Sequence, residues 1–373
     1  MKIYFVEPEL SDIPVFEEAL GEHELSFVEY DSDVEPDCEI LSVYIHSKID
    51  GAFLNQHPRL KFITTRSAGY DHIDVAECAR RGVAVANAAG ADANTVAEHT
   101  FMLILALARR LYEVREANKK PVFHYEALRA VDLKDKTLGV IGTGRIGLHV
   151  VHIALAFRMK VMAYEPHRPS LMAEILGVRY VSFDELLRES HVITLHAPLT
   201  DETFHMLDRA AFAKCRDGVI IINTARGALI DTDSLVEALD SGRVAGAGLD
   251  VLEEESVMRK EADKIIADQI IDRLKNQSPF DEAAMKDPSR LKQFEEVMRD
   301  QRLLNRPDVV FTPHVAFNSV EAVARINAIT AENIRAFLKG EAVNLVHGSA
   351  ALVHGAAAAL AKPFGVFGKR RAL

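Results

Sequence analysis

Three polar residues able to bind an anion or move a proton follow short β-branched runs in the second half of the chain. Arg226 follows Val219–Asn223 through Thr224-Ala225, and His314 follows Val309–Thr312 through Pro313. Glu255 follows Ala245–Asp250 through Val251-Leu252-Glu253-Glu254. A guanidinium grips a carboxylate with two parallel hydrogen bonds. An imidazole with an ordinary pKa of about 6.5 can give a proton to a developing alkoxide and take it back. A carboxylate beside that imidazole raises its pKa and fixes the ring. Each residue alone has a plainer reading: Arg226 as a turn cap, Glu255 as one acid in Glu253-Glu254-Glu255, His314 as a satisfied loop residue. If the three runs are parallel strands of one sheet, all three side chains meet at its carboxyl edge.

A second constellation lies upstream. Gly142-Thr143-Gly144-Arg145-Ile146-Gly147 follows the strand-like run Thr137–Ile141 and opens the helical run Leu148–Phe157. Strand, glycine turn and helix together specify a dinucleotide loop far better than the glycines alone. Gly142 permits the tight turn, Gly144 lets the backbone approach a pyrophosphate, and Gly147 lets helix and strand pack closely. The amides of Arg145 and Ile146 fall at the helix N-terminus, which favours phosphate. Glu165, at the end of the next strand-like run, lies 18 residues beyond Gly147, near the roughly 20 expected of the acid that binds ribose hydroxyls. Its charge opposes a 2′-phosphate, so NAD is expected over NADP, with Arg168 as the one nearby cation favouring the latter. Arginine, histidine and glutamate beside a nicotinamide read as hydride transfer coupled to proton transfer.

These groups need parallel sheets to hold them. Strands are expected at Lys2–Val6, Ile40–Tyr44, Phe62–Thr65 and Val83–Ala86, and again at Thr137–Ile141, Lys160–Tyr164, Val192–Leu195, Val219–Asn223, Ala245–Asp250 and Val309–Thr312. Apolar runs alternating with helices indicate α/β architecture with strands covered on both faces. The expected fold is two doubly wound parallel-sheet domains. Between them Asn94–Val114 reads as a long apolar helix, its start set by a Thr95-Val96-Ala97-Glu98 capping box. A helix over Ser319–Leu338 would carry the chain back to the first unit. Residues 1–102 with 318–347 then form a discontinuous substrate domain, 103–317 a dinucleotide-binding domain, and 348–373 a tail. Ser256–Pro307 is charged and helical in character and reads as a surface elaboration.

Composition excludes several function classes. The chain has 373 residues, 49% of them hydrophobic, enough for about two or three domains. Its 55 acids outweigh 44 bases, for a net charge of −11, which disfavours nucleic acid and anionic membranes as partners. No apolar run nears the roughly 20 residues of a membrane span, and Met1–Val6 has no signal-peptide layout. Cys38, Cys78 and Cys215 are too scattered for a disulfide framework or a zinc knuckle, so no metal is expected. A cytoplasmic protein is expected.

In order and spacing the chain resembles the D-isomer-specific 2-hydroxyacid dehydrogenases. The resemblance rests on Gly142–Gly147, His196-Ala197-Pro198-Leu199-Thr200, Asn223-Thr224-Ala225-Arg226-Gly227, Gly248-Leu249-Asp250-Val251 and Thr312-Pro313-His314, and runs from about residue 40 to 346. Thr65-Arg66-Ser67-Ala68-Gly69-Tyr70-Asp71 and His314-Val315-Ala316-Phe317 resemble the fermentative D-lactate branch most. The resemblance implies flavodoxin-like and Rossmann-like domains with a cleft between them, NAD as cofactor and a homodimer or higher homo-oligomer. It implies that Arg226 binds the substrate carboxylate, that His314 is the acid/base and that Glu255 is its partner. Ala197, Pro198, Thr203, Thr224, Ala225 and Asp250 match positions lining the NAD site; Ser67, Ala68 and Gly69 match the loop that meets substrate, and Phe317 a pocket side chain. Glu165 stands where the family usually has Asp, and Gly90-Ala91-Asp92 stands where lactate-type members often carry an aromatic, leaving space for a larger substrate side chain.

The expected reaction is NAD-dependent reduction of a small, pyruvate-like 2-keto acid to the D-2-hydroxy acid, and its reverse. Glyoxylate, hydroxypyruvate, phenylpyruvate or a branched keto acid are alternative substrates. A different class, an NAD-sensing partner-binding protein, is also compatible with these residues.

Overall fold

The computed structural model describes residues 1–119, 125–166, 171, 175–253, 302–341 and 343–346. The chain divides into two units, Met1–Asp92 with the chain from Ser319 onward, and Ala93–Asn318. The boundary expected between residues 102 and 103 falls inside the helix Ala93–Ala108, the whole of which groups with the second unit. Glu255, Arg168, most of Ser256–Pro307 and the tail 348–373 lie outside the described residues. Among the described residues no helix is long and apolar enough to cross a membrane.

The first unit is a parallel sheet in the order β2-β1-β3-β4-β5. Its strands are β1 (Lys2–Val6), β2 (Glu24–Val28), β3 (Ile40–Val43), β4 (Phe62–Thr65) and β5 (Ala84–Asn87). Apart from Lys2 at the start of β1, the three inner strands and β5 are buried along their length, as doubly covered strands must be. The unexpected strand is β2: Glu24-Leu25-Ser26-Phe27-Val28 sits at the sheet edge, half-exposed, where a weak apolar pattern suffices. The helix Val320–Leu338, capped by Ser319, returns the chain to this sheet, with Phe337 stacked on Phe62 at 4.5 Å.

Arg66, just past β4, is 1% exposed. Its guanidinium donates to the Val6 and Glu7 carbonyls and to Asp12 Oδ2 (3.3 Å), and lies 4.9 Å from the Tyr44 ring centroid. Asp12 is held in turn by Asn327 of the returning helix at 2.7 Å. One buried cation thus ties the carboxyl ends of β1 and β4 to that helix. It also fixes the start of the Ser67–Gly69 loop, where Asn87 Nδ2 donates to the Ala68 carbonyl at 2.7 Å.

The second unit is a seven-stranded parallel sheet in the order β12-β11-β10-β9-β6-β7-β8. Its strands are β6 (Thr137–Ile141), β7 (Lys160–Tyr164), β8 (Arg179–Tyr180), β9 (Val192–Leu195), β10 (Val219–Asn223), β11 (Val244–Leu249) and β12 (Val309–Phe311). The order reverses between β6 and β9, which defines the point where open α/β sheets bind ligands. The two-residue strand β8, at the edge, carries too little sequence pattern to be foreseen.

The junction helix runs over Ala93–Ala108 and is separated from Leu111–Ala117 by Arg110, which adopts a left-handed conformation (φ 53°). The single long helix over Asn94–Val114 is therefore two. The proposed capping box is also absent, because the helix already begins at Ala93; Glu98 instead accepts from Asn94 Nδ2 at 2.6 Å. The helix lies on β11 because Gly248 is bare: a Cβ there would come within 3.0 Å of Leu103 Cβ. The described end of the charged segment is anchored too. Leu303 is buried in the core under β11, and Arg306 forks onto both Asp308 oxygens (2.8 and 2.9 Å) while pairing with Asp240, so the entry to β12 is fixed.

Replacing Arg66 with Leu leaves Asp12 and two carbonyls without their buried cation. Urea unfolding should show a loss of about 3–5 kcal/mol; a loss below about 1 kcal/mol would mean that the cluster behaves as an exposed pair.

Candidate active site

Pairing register sets the geometry. Tyr164, Ile141, Leu195, Asn223, Leu249 and Phe311 are consecutive partners across β7, β6, β9, β10, β11 and β12. The next residue on each strand is therefore the first beyond the carboxyl edge: Glu165, Gly142, His196, Thr224, Asp250 and Thr312. Strands about 4.8 Å apart put the Arg226 and His314 loops, two strands removed, roughly 10 Å apart at their roots. The structure thus brings Gly142–Gly147, Ala197, Thr224–Arg226, Asp250 and His314 to one edge of one sheet. Ser67, Ala68 and Gly69 follow β4 in the other unit.

The glycine loop has the form that a pyrophosphate requires. Gly142 has φ 91°, and a Cβ there would lie 2.8 Å from the His196 carbonyl. A Cβ on Gly147 would lie 2.1 Å from the Gly142 oxygen, whereas one on Gly144 would project into open space. That space is the cradle, at the N-terminus of the helix Arg145–Ala156, whose N-cap is Gly144. Arg145 is exposed beside it and Ile146 packs inward. Glu165 Oε2 accepts from the Thr143 amide at 3.2 Å, which holds the carboxylate beside the loop. These residues fit the adenosine and pyrophosphate halves of NAD.

Asn223 builds the arginine turn. Its Oδ1 accepts from the Ala225 amide (3.0 Å) and its Nδ2 donates to the Arg226 carbonyl (2.8 Å), so one buried amide sets the loop from both sides. Arg226 Nη1 donates to the Ala225 carbonyl at 2.7 Å. Gly227 follows because the backbone of Leu252 and Glu253 crosses directly beneath; a Cβ would sit 1.9 Å from the Leu252 carbonyl carbon. Thr224 points its hydroxyl at Thr100 of the junction helix (3.1 Å).

His314 sits in a left-handed backbone conformation, φ 53°, unusual for a residue with a Cβ. Such strain persists only when the surroundings over-determine it, and here Asp250 does so. Its backbone carbonyl accepts from the His314 amide at 2.8 Å. Its carboxylate accepts from Thr312 Oγ1 (2.5 Å), the Val315 amide (3.0 Å) and the Ala316 amide (2.9 Å). Asp250 is 1% exposed, so its oxygens serve the loop. His99 of the junction helix completes the group, with Nε2 2.9 Å from Thr312 Oγ1 and 3.4 Å from Asp250 Oδ1. Burial lowers the His99 pKa, opposed by the Asp250 carboxylate. Sequence reading missed His99, though an imidazole at the start of the apolar run Phe101–Ala108 was a visible signal. Phe317 stands edge-on to His314, ring centroids 6.5 Å apart.

Glu255 lies outside the described residues. Its neighbour Glu253 is committed elsewhere: it accepts from Thr232 Oγ1 (3.0 Å) and meets His205 Nε2 at 2.5 Å. Thr203 closes a turn over Pro198, donating to its carbonyl at 2.7 Å and accepting from the Thr200 amide at 2.8 Å. In the first unit Ser67 Oγ donates to the Gly69 carbonyl (2.7 Å) and lies 2.6 Å from Thr65 Oγ1, so the loop's own hydroxyls hold its shape.

A glycine-loop helix at the switch point of a seven-stranded parallel sheet, with arginine and histidine loops on the same edge, defines a nucleotide-dependent oxidoreductase. The family description "D-isomer specific 2-hydroxyacid dehydrogenase, NAD binding domain" matches residues 101–316. A glyoxylate reductase of Korarchaeum cryptofilum is 34% identical over 309 residues, covering 82% of this chain and 81% of its own. A D-lactate dehydrogenase of Escherichia coli is 33% identical over 308 residues, covering 82% and 84%. The crystal structure of D-lactate dehydrogenase from Aquifex aeolicus, complexed with NAD and lactic acid, superposes with a TM-score of 0.76 at 34% identity, covering 95% of this chain and 98% of that one. The chain belongs to the D-isomer-specific 2-hydroxyacid dehydrogenases, oxidoreductases that use NAD.

His196, against which Gly142 turns, is half-buried with its Nδ1 out of reach of solvent, and desolvation of the imidazole drives its pKa down to about 3. Its Nε2 meets Thr194 Oγ1 at 2.9 Å. The unfolded chain protonates this group near pH 6.5 and the folded chain only near 3, so acidification through that window favours unfolding. His196→Gln should therefore flatten the fall in urea midpoint between pH 7 and pH 5; an unchanged pH dependence would contradict the enclosure.

Proposed function

We propose that the protein reduces a small, pyruvate-like 2-keto acid to the D-2-hydroxy acid, and catalyses the reverse, as the D-lactate dehydrogenases do. NAD, when bound, carries the hydride. Arg226 grips the substrate carboxylate, which fixes which face of the keto carbon is presented. His314 gives the keto oxygen a proton as charge develops there and removes it in the reverse direction. Glu255 serves as the carboxylate partner of His314. Ser67, Ala68 and Gly69 contribute backbone donors to the carboxylate end, and Phe317 packs beside the substrate side chain. Ala197, Pro198, Thr203, Thr224 and Ala225 line the NAD groove.

What supports this reading is the common register that sets the Arg226 and His314 loops on the edge that also carries the glycine loop. The strain held at His314 adds to it, since such strain gathers at working sites. The small residues Ala88 and Ala91, both buried, leave the loop before the junction helix without bulk, so larger keto acids are expected to be tolerated beside pyruvate.

We also propose a homodimer in the cytoplasm. The exposed apolar residues Met102, Leu111 and Tyr112 lie on the two successive helices of the junction, and Phe157 stacks on Phe101 at 5.3 Å. The three buried thiols suit a reducing compartment. Light scattering should give twice the 41.3 kDa chain mass, and Leu111→Glu should shift it toward one copy; a monomeric wild type would refute the dimer.

Purified protein should oxidise NADH with pyruvate, glyoxylate, hydroxypyruvate or phenylpyruvate, and use NADPH poorly. Arg226→Gln and His314→Gln should each lower kcat/KM by about 10²–10⁴-fold, with NADH binding by fluorescence close to wild type. Turnover near wild type in either variant overturns the assignment of roles. NADH binding without turnover of any keto acid, but with NADH-dependent capture of a protein partner, would favour a sensing role.

A further inference from the structure

We propose that His99 is a positioning residue for the acid/base loop, acting through Thr312 and Asp250. Asp250 offers only lone pairs to its neighbours, taking up N–H groups from Val315 and Ala316 on its two oxygens. The single hydroxyl proton of Thr312 must therefore point at Asp250 Oδ1, 2.5 Å away. That leaves Thr312 Oγ1 an acceptor toward His99, so the Nε2 at 2.9 Å carries a proton. The chain of bonds has one direction, from His99 through Thr312 to Asp250, and each link polarises the next.

The consequence reaches His314 because Thr312 and Val315 flank it, and both donate to the same carboxylate oxygen. The His314 amide is bonded to the Asp250 carbonyl and to that of Thr312 (2.9 Å). Loss of the His99 donor frees Thr312 to turn, weakens its grip on Oδ1 and lets the left-handed backbone at His314 relax. The junction helix is a rigid base for this. Thr100, beside His99, bonds both the Val96 carbonyl (2.8 Å) and Thr224, whose turn carries Arg226. Adjacent residues of one helix thus brace both loops on which the proposed roles rest.

The activity arm of the test rests on the proposed reaction; the structural arm does not. His99→Phe keeps the ring and removes the donor, and Thr312→Val removes the relay. Each should speed amide exchange at Val315 and Ala316 by about tenfold, the worth of one hydrogen bond. Each should lower kcat by a similar factor with the NADH Kd within about twofold. His99→Gln, which keeps a side-chain N–H donor, should recover most of both, and the double variant should be no worse than the worse single one. Unchanged exchange in His99→Phe, a Gln variant as impaired as Phe, or additive losses would each overturn the inference. If the wild type turns over no keto acid, the proposed reaction fails while the exchange measurement still decides the role of His99.

Discussion

The buried carboxylate of Asp250 is the constraint on which the rest of the site depends. Removing a carboxylate from water costs several kcal/mol unless strong hydrogen bonds replace the solvent. Here a hydroxyl and two backbone amides do so, and every one of them belongs to the loop that carries His314. The desolvated charge and the strained loop therefore offset each other: the loop can hold φ 53° because opening it would strand the carboxylate. The Asp250 carbonyl makes the same link from the backbone.

The same economy of means recurs on neighbouring strands. Asn223, one residue before the edge of β10, shapes the arginine turn with both halves of its amide. Gly227 is bare so that the chain leaving β11 can cross beneath that turn. The glycine loop after β6 takes its shape from close contacts with the His196 backbone and within itself. Neutral His196 stands at the middle of this edge and adds no positive charge between the glycine loop and the arginine loop. In the first unit both Arg66 Nη atoms are spent in joining β1, β4 and, through Asp12, the returning helix, so its charge is structural.

Much of the parallel-sheet pattern was legible because doubly covered strands are apolar throughout and end where polar residues begin. Lys2–Val6, Phe62–Thr65, Thr137–Ile141, Lys160–Tyr164, Val192–Leu195 and Val219–Asn223 have the expected bounds. The edge strands β2 and β8 escaped, since an edge position demands little of its side chains. The long junction helix was misjudged because apolar periodicity continues through Arg110, where only backbone conformation reveals the break. The capping box at Thr95 failed for a related reason: its letters fit, but tertiary packing draws the helix start back to Ala93.

Residue types and their spacing were enough to fix the chemistry on offer: a glycine loop after a strand, a guanidinium, an imidazole, and acids at the ends of successive runs. These are local facts, because strand period and turn chemistry act over a few residues. Strand order, pairing register and the partners of Asp250 came only with the folded chain. They depend on contacts between residues far apart in sequence, such as His99 with Thr312 and Asp12 with Arg66. No local pattern encodes such pairs, since each becomes favourable only once the rest of the core has removed both partners from water.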